Sequence, residues 1–246
     1  MFSAGSSSHC RSTSRLRSSP VSWPSAWPPG DSSPRMCSTA VVVRTALPIE
    51  ADQVAVPLAE SHFDDPGMVA FFPRPDVRPR ALRLVFGLTV RDAIHYGHVY
   101  VAVMDGRVIG SAVWLPPGTF PPTGPRKLAA LPGLARLFAT APSRFGTFTR
   151  FGMAAAARAD KSAWFLAGLG VAPAHQGGGV GTRLLRRMLD EADFRREPCL
   201  LNTQNHANIR YYGRHGFDIV DGPWRADSGP ATWTLRRVPS PQHRPT

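Results

Sequence analysis

Cysteine is scarce in this chain, and its spacing argues against a metal site or a disulfide scaffold. Only Cys10, Cys37 and Cys199 occur among the 246 residues. They form no Cys-x-x-Cys pair and no ligand spacing with histidine, so neither zinc nor a disulfide framework is indicated. We therefore expect no metal, and the cysteine usage fits a reducing cytosol.

Acidic residues are also few, 17 against 29 lysines and arginines, which gives a formal net charge of +12. Half of that charge lies in the two ends of the chain, residues 1–38 and 236–246. A nucleic-acid-binding module needs clustered Lys and Arg with interleaved aromatic residues, and the sequence has no run of that kind. The composition therefore predicts no nucleic-acid partner.

Long apolar runs are missing as well. Pro, Gly or Arg interrupts every apolar stretch well short of the roughly 18 residues that a membrane-spanning helix needs. We expect a soluble, cytoplasmic protein with no membrane partner.

Residues 1–38 are rich in Ser, Pro and Arg and have no hydrophobic periodicity. Such a segment cannot bury enough apolar surface to offset its ordering entropy, so we predict a disordered extension. Its composition also resembles an organelle transit peptide, although it lacks an amphipathic pattern. Met36 is the favoured alternative start, because a folded pattern begins shortly after it. One domain is predicted at 39–238, followed by a disordered tail at 239–246.

Apolar periodicity and turn residues predict alternating strands and helices along this domain. Strands are expected at 40–44, 164–171, 199–203, 217–220 and 231–237, and helices at 48–62, 179–193 and 206–215. Two apolar helix faces are predicted, one of Ile49, Val54 and Leu58 and one of Val77, Ala81, Leu84, Val85 and Leu88. A β-hairpin is the clearest local signal, since Asp105-Gly106 between two β-branched runs favours a type I′ turn.

Residues 119–160 have the composition of an insertion, with Pro and Gly first and then helical patterns at 126–138 and 145–159. Four phenylalanines, at 138, 145, 148 and 151, recur at helical spacing in it. They are expected to pack together rather than to line a pocket.

The stretch WFLAGLGVAPAHQGGGVGTRLL, residues 164–185, carries the strongest functional signal. An apolar strand is followed by a turn with glycines at 177, 178, 179 and 181, and then by an amphipathic helix. This order directs backbone N–H groups and a helix N-terminus at one spot, which suits a phosphate-bearing ligand. No Lys-Ser or Lys-Thr pair follows the glycines, so the turn is not a P-loop.

A second motif lies downstream. The run NHANIRYYGRHGF, residues 205–217, resembles the Asn…Tyr-x-Arg/Lys-x-Gly-Phe segment of the GNAT superfamily of N-acetyltransferases. The run QGGGVG, residues 176–181, is similar to that family's Gln/Arg-x-x-Gly-x-Gly/Ala loop. The two motifs occur in the family's order, and the resemblance covers roughly residues 40–238. It implies an α/β (α+β) fold with a central mixed, mostly antiparallel twisted sheet of about six to seven strands flanked by helices, with a helical insertion.

Within this superfamily the chain resembles the puromycin N-acetyltransferase-like group in AWFLAGLGVAPAHQGGGVG, in the strand ending WLPPG and in GPATWTL. One position departs from that group, because Leu201-Asn202-Thr203 stands where Leu-Glu-Thr is usual. A lost carboxylate near the acceptor site would change which cationic amine is preferred.

The resemblance implies an acetyl-CoA-dependent N-acetyltransferase that acts on a primary amine of a small molecule, such as an aminonucleoside-type antibiotic, by direct attack in a ternary complex. Tyr212 is then the candidate general acid, Tyr211 is expected to be buried, and the backbone at Gly170 and Val171 is expected to stabilise the oxyanion. Gly170 suits a β-bulge or, equally, a packing contact. The expected contacts of the co-substrate acetyl-CoA are Leu169, Val171, Gln176, Gly177, Gly178, Gly179, Val180, Gly181, Thr182, Asn205, Asn208 and Arg214.

No general base is assigned from the sequence, because the strand 164–171 contains no Asp or Glu. His175, His206, His95 and Asp160 are available. Two other functions stay open, a non-catalytic acyl-CoA-sensing domain and an acetyltransferase acting on protein amines. A monomer or a homodimer is expected.

Overall fold

The computed structural model describes residues 40–240. The predicted extension 1–38, with Met36, and most of the predicted tail 239–246 lie outside these residues. The strands are β1 (Val42–Thr45), β2 (His98–Met104), β3 (Arg107–Leu115), β4 (Trp164–Val171), β5 (Cys199–Thr203), β6 (Asp218–Trp224) and β7 (Thr232–Arg237). The helices are α1 (Ala51–Ser61), α2 (Pro66–Phe71), α3 (Arg78–Tyr96), α4 (Gly124–Thr140), α5 (Phe145–Ala157), α6 (Val180–Arg195) and α7 (His206–Gly213).

The strands form one seven-stranded sheet in the order β1-β2-β3-β4-β5-β7-β6. The pair β4–β5 is parallel and the other neighbours are antiparallel. This mixed, mostly antiparallel sheet flanked by helices confirms the predicted fold class. The β2–β3 hairpin is also confirmed, with positive φ at both Asp105 and Gly106.

Two apolar clusters lie on opposite faces of the sheet. Helix α6 packs through Val180, Leu184, Leu185 and Met188 against one face, while α1 and α3 cover the other through Val54, Leu58, Leu82 and Phe86. Each cluster is built from side chains that are almost completely excluded from water, and this burial is the main contribution to stability. The helices therefore hold β4 between two packed layers.

Two predicted helix faces are partly wrong. Ile49 is 89% exposed, because residues Pro48–Glu50 form a short 3-10 turn and the regular helix starts only at Ala51. In α3 the buried side is rotated toward Leu82, Phe86 and Val90, because α1 packs there.

Helices α4 and α5 account for most of residues 119–160. Arg126 forms a bidentate ion pair with Asp92 and is nearly buried, which ties the start of α4 to α3. The four phenylalanines pack as expected, with Phe148 and Phe151 against Phe71 at centroid distances of 5.6 and 5.0 Å. In the described segment no helix combines the length and the apolarity that a membrane crossing requires.

Candidate active site

The site is centred on the point where β4 and β5 separate. Their parallel pairing ends at Leu166 opposite Leu201, although β4 continues to Val171. Ala172 donates its N–H to Ile109 of β3 at 2.8 Å. Because N–H directions alternate along a strand, the N–H groups of Leu169 and Val171 point to the opposite edge, into the gap beside β5. That gap is a place where a ligand can replace a strand as hydrogen-bond acceptor.

Gly170 serves close packing rather than a bulge. The register shift between β3 and β4 lies between Val113 and Trp114, so the irregularity is at Ala167. A Cβ on Gly170 would collide with the Ser61 hydroxyl and would lie 3.0 Å from Leu58 Cα. Helix α1 therefore rests directly on the backbone of β4 beside the gap. By the same alternation, the Gly170 N–H faces β3, and Val171 is the better placed of the two predicted oxyanion donors.

The glycine turn lies directly after this strand. Gly177 and Gly179 have φ of 80° and 76°, which L side chains rarely adopt. No heavy atom lies within 4 Å of where a Cβ would stand at either position, so the turn faces open space. The Gln176 side chain donates from Nε2 to the Val171 carbonyl at 2.9 Å and thereby ties the turn to the end of β4.

Helix α6 begins at Val180, and no side chain caps its N-terminus. The first N–H groups of an α-helix have no acceptor within the helix, and the helix dipole places partial positive charge there. The turn and the helix start thus present donors to an anion. Gly181 makes room for a neighbouring side chain, because a Cβ there would lie 3.0 Å from the hydroxyl of Tyr211.

Tyr211 and Tyr212, adjacent on α7, both line the cavity, and Tyr211, which was expected to be buried, is partly exposed. Their rings meet edge to face at 5.2 Å. Adjacent helix positions point about 100° apart, yet both side chains contribute to the lining of the cavity. Tyr212 is the more buried residue, 9% exposed, and burial raises the pKa of its phenol well above the ordinary range. The Tyr211 hydroxyl is buried and forms no well-aligned hydrogen bond among residues 40–240. Burial raises its pKa, while the Thr182 side chain lies close enough to lower that pKa by a smaller amount.

A single cavity of about 600 Å³ joins these elements. Of the residues predicted from the sequence, the following line it: Leu169, Gly170, Val171, Gln176, Gly177, Gly179, Val180, Gly181, Thr182, Asn205, Asn208, Tyr212 and Arg214. Gly178 is not among the lining residues. Asn205 also caps α7, accepting the Ala207 N–H at 3.0 Å.

The opposite wall was not foreseen from the sequence. It consists of Ser61, His62, Asp64 and Asp65, at the end of α1 and in the following loop. In the sequence, this wall is marked only by His62 at the end of the predicted helix 48–62. The packing of α1 on Gly170 is what brings that histidine to the cavity. Burial lowers the pKa of His62, while the nearby Asp65 carboxylate acts in the opposite direction.

The four candidate bases from the sequence are scattered. His175 lines the cavity. His206 packs against Trp233, His95 lies on the exposed side of α3, and Asp160 is paired with Arg236. Asn202, the position that departs from the puromycin N-acetyltransferase-like pattern, accepts a hydrogen bond from Thr234 at 2.9 Å and does not line the cavity. Among the described residues, no group of His, Cys, Asp and Glu has the arrangement of a metal site.

Comparison with known proteins gives one family and one fold. The model of the acetyltransferase (GNAT) family matches residues 68–217. A histone acetyltransferase and related acetyltransferase from Corynebacterium glutamicum superposes with a TM-score of 0.60 and 22% identity, over 82% of this chain and 98% of its own.

Two further solved structures have the same fold at lower identity. An agmatine N-acetyltransferase variant in its apo form gives a TM-score of 0.52 at 17% identity, over 80% of this chain and 99% of its own. A polyamine N-acetyltransferase from Drosophila melanogaster, which forms N-acetylagmatine, gives a TM-score of 0.52 at 17% identity, over 81% of this chain and 100% of its own.

Proposed function

This chain belongs to the acetyltransferase (GNAT) family, and we propose that it transfers the acetyl group of acetyl-CoA to a primary amine of a small molecule. The observation that carries the proposal is the single cavity that brings the glycine turn and the open edge of β4 together with Tyr212 and an acidic wall. One side of this cavity suits a phosphate-bearing thioester and the other suits a cation.

The residues present fit acetyl-CoA on two structural grounds. The turn at Gly177 and Gly179 leaves open space where side chains would stand, next to the uncapped start of α6, as a pyrophosphate requires. The buried Tyr211 hydroxyl beside Gly181 lies near the Thr182 side chain but has no well-aligned protein partner, and such a group costs stability unless a ligand satisfies it. Asn205, Asn208 and Arg214 extend the same wall.

When bound, acetyl-CoA supplies an activated acetyl thioester. The Val171 N–H at the gap would stabilise the negative charge that develops on the carbonyl oxygen, as an oxyanion donor does. Tyr212 would donate its phenolic proton to the departing sulfur. Burial raises the pKa of Tyr212, so the phenol is protonated at neutral pH and holds a proton that it can donate.

The acceptor is proposed from the opposite wall. Asp64 and Asp65 give this wall negative charge, which supports a cationic amine. The likeness to the puromycin N-acetyltransferase-like group suggests an aminonucleoside. Agmatine and polyamines, the amines of the two neighbours named above, are cationic acceptors of a second kind to test.

Thermal shift of the full chain with acetyl-CoA, NAD and a DNA oligonucleotide, measured side by side, tests the ligand. We expect a rise in melting temperature with acetyl-CoA, since a ligand that binds only the folded state stabilises it. A shift with NAD or DNA and none with acetyl-CoA would contradict the proposal. Binding of acetyl-CoA without turnover of any amine would instead favour the acyl-CoA-sensing alternative.

A further inference from the structure

His62 lies at the end of α1 with its proton position defined by the backbone. Its Nδ1 is 2.8 Å from the Leu58 carbonyl oxygen, four residues earlier, and 3.1 Å from the Ser61 hydroxyl. A carbonyl oxygen only accepts hydrogen bonds, so Nδ1 must carry the proton. In the neutral ring the other nitrogen, Nε2, therefore holds a free lone pair.

The surroundings of the ring leave that lone pair available. The ring packs against Phe86 with a centroid distance of 4.8 Å, and Nε2 has no hydrogen-bond partner in the described part of the chain. His62 lines the same cavity as Gly170, Val171 and Tyr212. The close approach of Ser61 to Gly170 places His62 one residue from the contact between α1 and the open end of β4.

We infer that His62 is the general base of the reaction, and that its Nε2 removes a proton from the acceptor ammonium. This inference rests on the proposed function and names the residue that the sequence could not supply. The proton moves from R–NH3⁺ to Nε2, which leaves a neutral amine and an imidazolium. The amine lone pair forms the new N–C bond, and the C–S bond breaks with its electron pair going to sulfur.

The remaining protons balance without a further reactant. Tyr212 gives its proton to sulfur, so that the thiol leaves as CoA–SH, and the resulting phenolate recovers a proton from the new amide nitrogen through water. The imidazolium of His62 then releases its proton to solvent. The sum is an amine cation and an acetyl thioester going to an amide, a thiol and one proton.

The charges around His62 suit this cycle. Asp65 accepts the Gly67 and Met68 N–H groups through Oδ1, and its Oδ2 makes no hydrogen bond within residues 40–240, so the loop holds a fixed negative charge that stabilises an imidazolium. The other titratable groups that face the cavity here lie on three segments. Asp64, in the loop after α1, is 90% exposed and 3.8 Å from Arg78 of α3. Tyr211 and Tyr212 lie on α7, Arg214 directly follows α7, and His175 precedes the glycine turn. Burial lowers the pKa of His62, so the ring is neutral near pH 7 and its Nε2 lone pair is not already protonated.

The chain offers a matched control in His95. Its Nδ1 is 2.8 Å from the carbonyl oxygen of Arg91, four residues earlier, which is the same local geometry as in His62. His95 lies on an exposed part of α3 and does not line the cavity. A substitution at either position removes the same local hydrogen bond, but only one of them removes a base from the site.

The test is the pH dependence of kcat/KM for full-length wild type, His62→Gln and His95→Gln. Thiol release is followed with saturating acetyl-CoA and the fastest amine among puromycin, agmatine and spermidine. We expect wild type and His95→Gln to share one profile, with an acid limb from protonation of His62. His62→Gln should be about 100-fold slower at neutral pH, as for loss of a general base. Its rate should then rise with pH until the free amine itself is deprotonated.

A profile for His62→Gln that matches His95→Gln would overturn the inference while leaving the proposed function intact. Wild type that binds acetyl-CoA but acetylates none of the amines would overturn the proposed function, and this inference with it. The acetyl-CoA thermal shift of each variant reports whether it is folded.

Asp65→Asn is a second test of the role of His62 if His62→Gln does not fold. An asparagine oxygen can still accept the Gly67 N–H, so the cap of α2 is kept while its charge is lost. We expect an active enzyme whose acid limb lies at lower pH than in wild type, because the imidazolium has lost its stabilising carboxylate. An acid limb at the same pH as in wild type would contradict the assignment of the general base to His62.

Discussion

The Ser61 hydroxyl occupies the space that a Cβ on Gly170 would fill. This contact brings the end of α1 onto the backbone of β4, at the point where β4 has separated from β5. The acidic wall of the cavity and the end of β4 that carries the proposed oxyanion donor are therefore in direct contact at Gly170. The contact explains why an apolar strand with no catalytic side chain can still be the centre of an active site.

Gly170→Ala should destabilise the protein. The added methyl group would lie 3.0 Å from Leu58 Cα and 3.1 Å from the Pro57 carbonyl oxygen, and such backbone atoms move only with the helix. We expect the free energy of unfolding to fall by about 1–3 kcal/mol, as for overpacking, measured by urea denaturation. Activity should fall as well, because α1 carries His62.

Gly168→Ala is the control for this substitution. In the same strand, a Cβ at Gly168 would meet Leu58 Cδ2 at 3.4 Å, an ordinary contact with the end of a flexible side chain. Its stability should match or exceed that of wild type. Equal stability of the two variants would contradict the packing role of Gly170.

Tyr212→Phe should lower turnover and leave acetyl-CoA binding nearly unchanged. The phenol is proposed to protonate the leaving sulfur, and removing a general acid costs about 100-fold in kcat. The measurement is steady-state kinetics with a parallel binding titration of acetyl-CoA. Unchanged kcat would remove Tyr212 from the mechanism.

Tyr211→Phe should weaken acetyl-CoA binding and leave the stability of the free enzyme nearly unchanged. Its hydroxyl has no well-aligned partner in the described protein, so removing it should lower the stability of the free enzyme very little. If bound acetyl-CoA satisfies that hydroxyl, its Kd should rise by about tenfold, the equivalent of one lost hydrogen bond. Calorimetry of wild type and variant measures this, and equal Kd values would mean that the hydroxyl does not contact the co-substrate.

Gly179→Ala should weaken acetyl-CoA binding and also destabilise the protein by about 1–2 kcal/mol, because φ at this position is 76°. Gly178→Ala is the matched comparison. Gly178 has no positive φ, the nearest atom to an added Cβ is 4.0 Å away, and the residue does not line the cavity. Its Kd should stay near that of wild type, and equal losses in both variants would contradict the assigned geometry of the turn.

Stability should fall on mild acidification. Burial lowers the pKa of His62, His98 and His215 below the ordinary value of 6.5. Below pH 6.5 the unfolded chain then binds more protons than the folded one, so the free energy of unfolding decreases as the pH falls. Hydrogen bonds from Arg44 lower the pKa of Glu50 to about 2, so that carboxylate stays ionised in this range.

Urea denaturation at pH 8, 7, 6 and 5 measures this dependence. His215→Gln should make it shallower, since one of the three groups is gone. Constant stability between pH 7 and pH 5 would mean that these histidines titrate normally in the folded protein.

Local patterns were enough to predict much of the fold. The observed β4 coincides with the predicted strand 164–171, because an apolar run with a glycine turn after it has both ends marked in the sequence. The Asp105-Gly106 hairpin is equally local. By contrast, β6 runs through Gly222-Pro223 to Trp224, beyond the predicted end at 220, because an edge strand tolerates proline.

The acceptor wall depends on long-range packing. Asp65 caps a helix of six residues that has too short a pattern to be recognised, and His62 enters the site only because α1 crosses β4 at Gly170. Nothing in the neighbouring sequence of either residue indicates that contact. The motifs therefore predicted the residues proposed to hold the co-substrate, and the structure supplies those proposed to hold the acceptor.

Amine-dependent release of the CoA thiol is the direct test of acetyl transfer to an amine. Purified full-length protein is incubated with acetyl-CoA and puromycin, agmatine or spermidine, and the products are identified by mass spectrometry. We expect at least one amine to accelerate thiol release and to be recovered in acetylated form. Thiol release that no amine accelerates, with no acetylated amine formed, would contradict the proposed acetyl transfer.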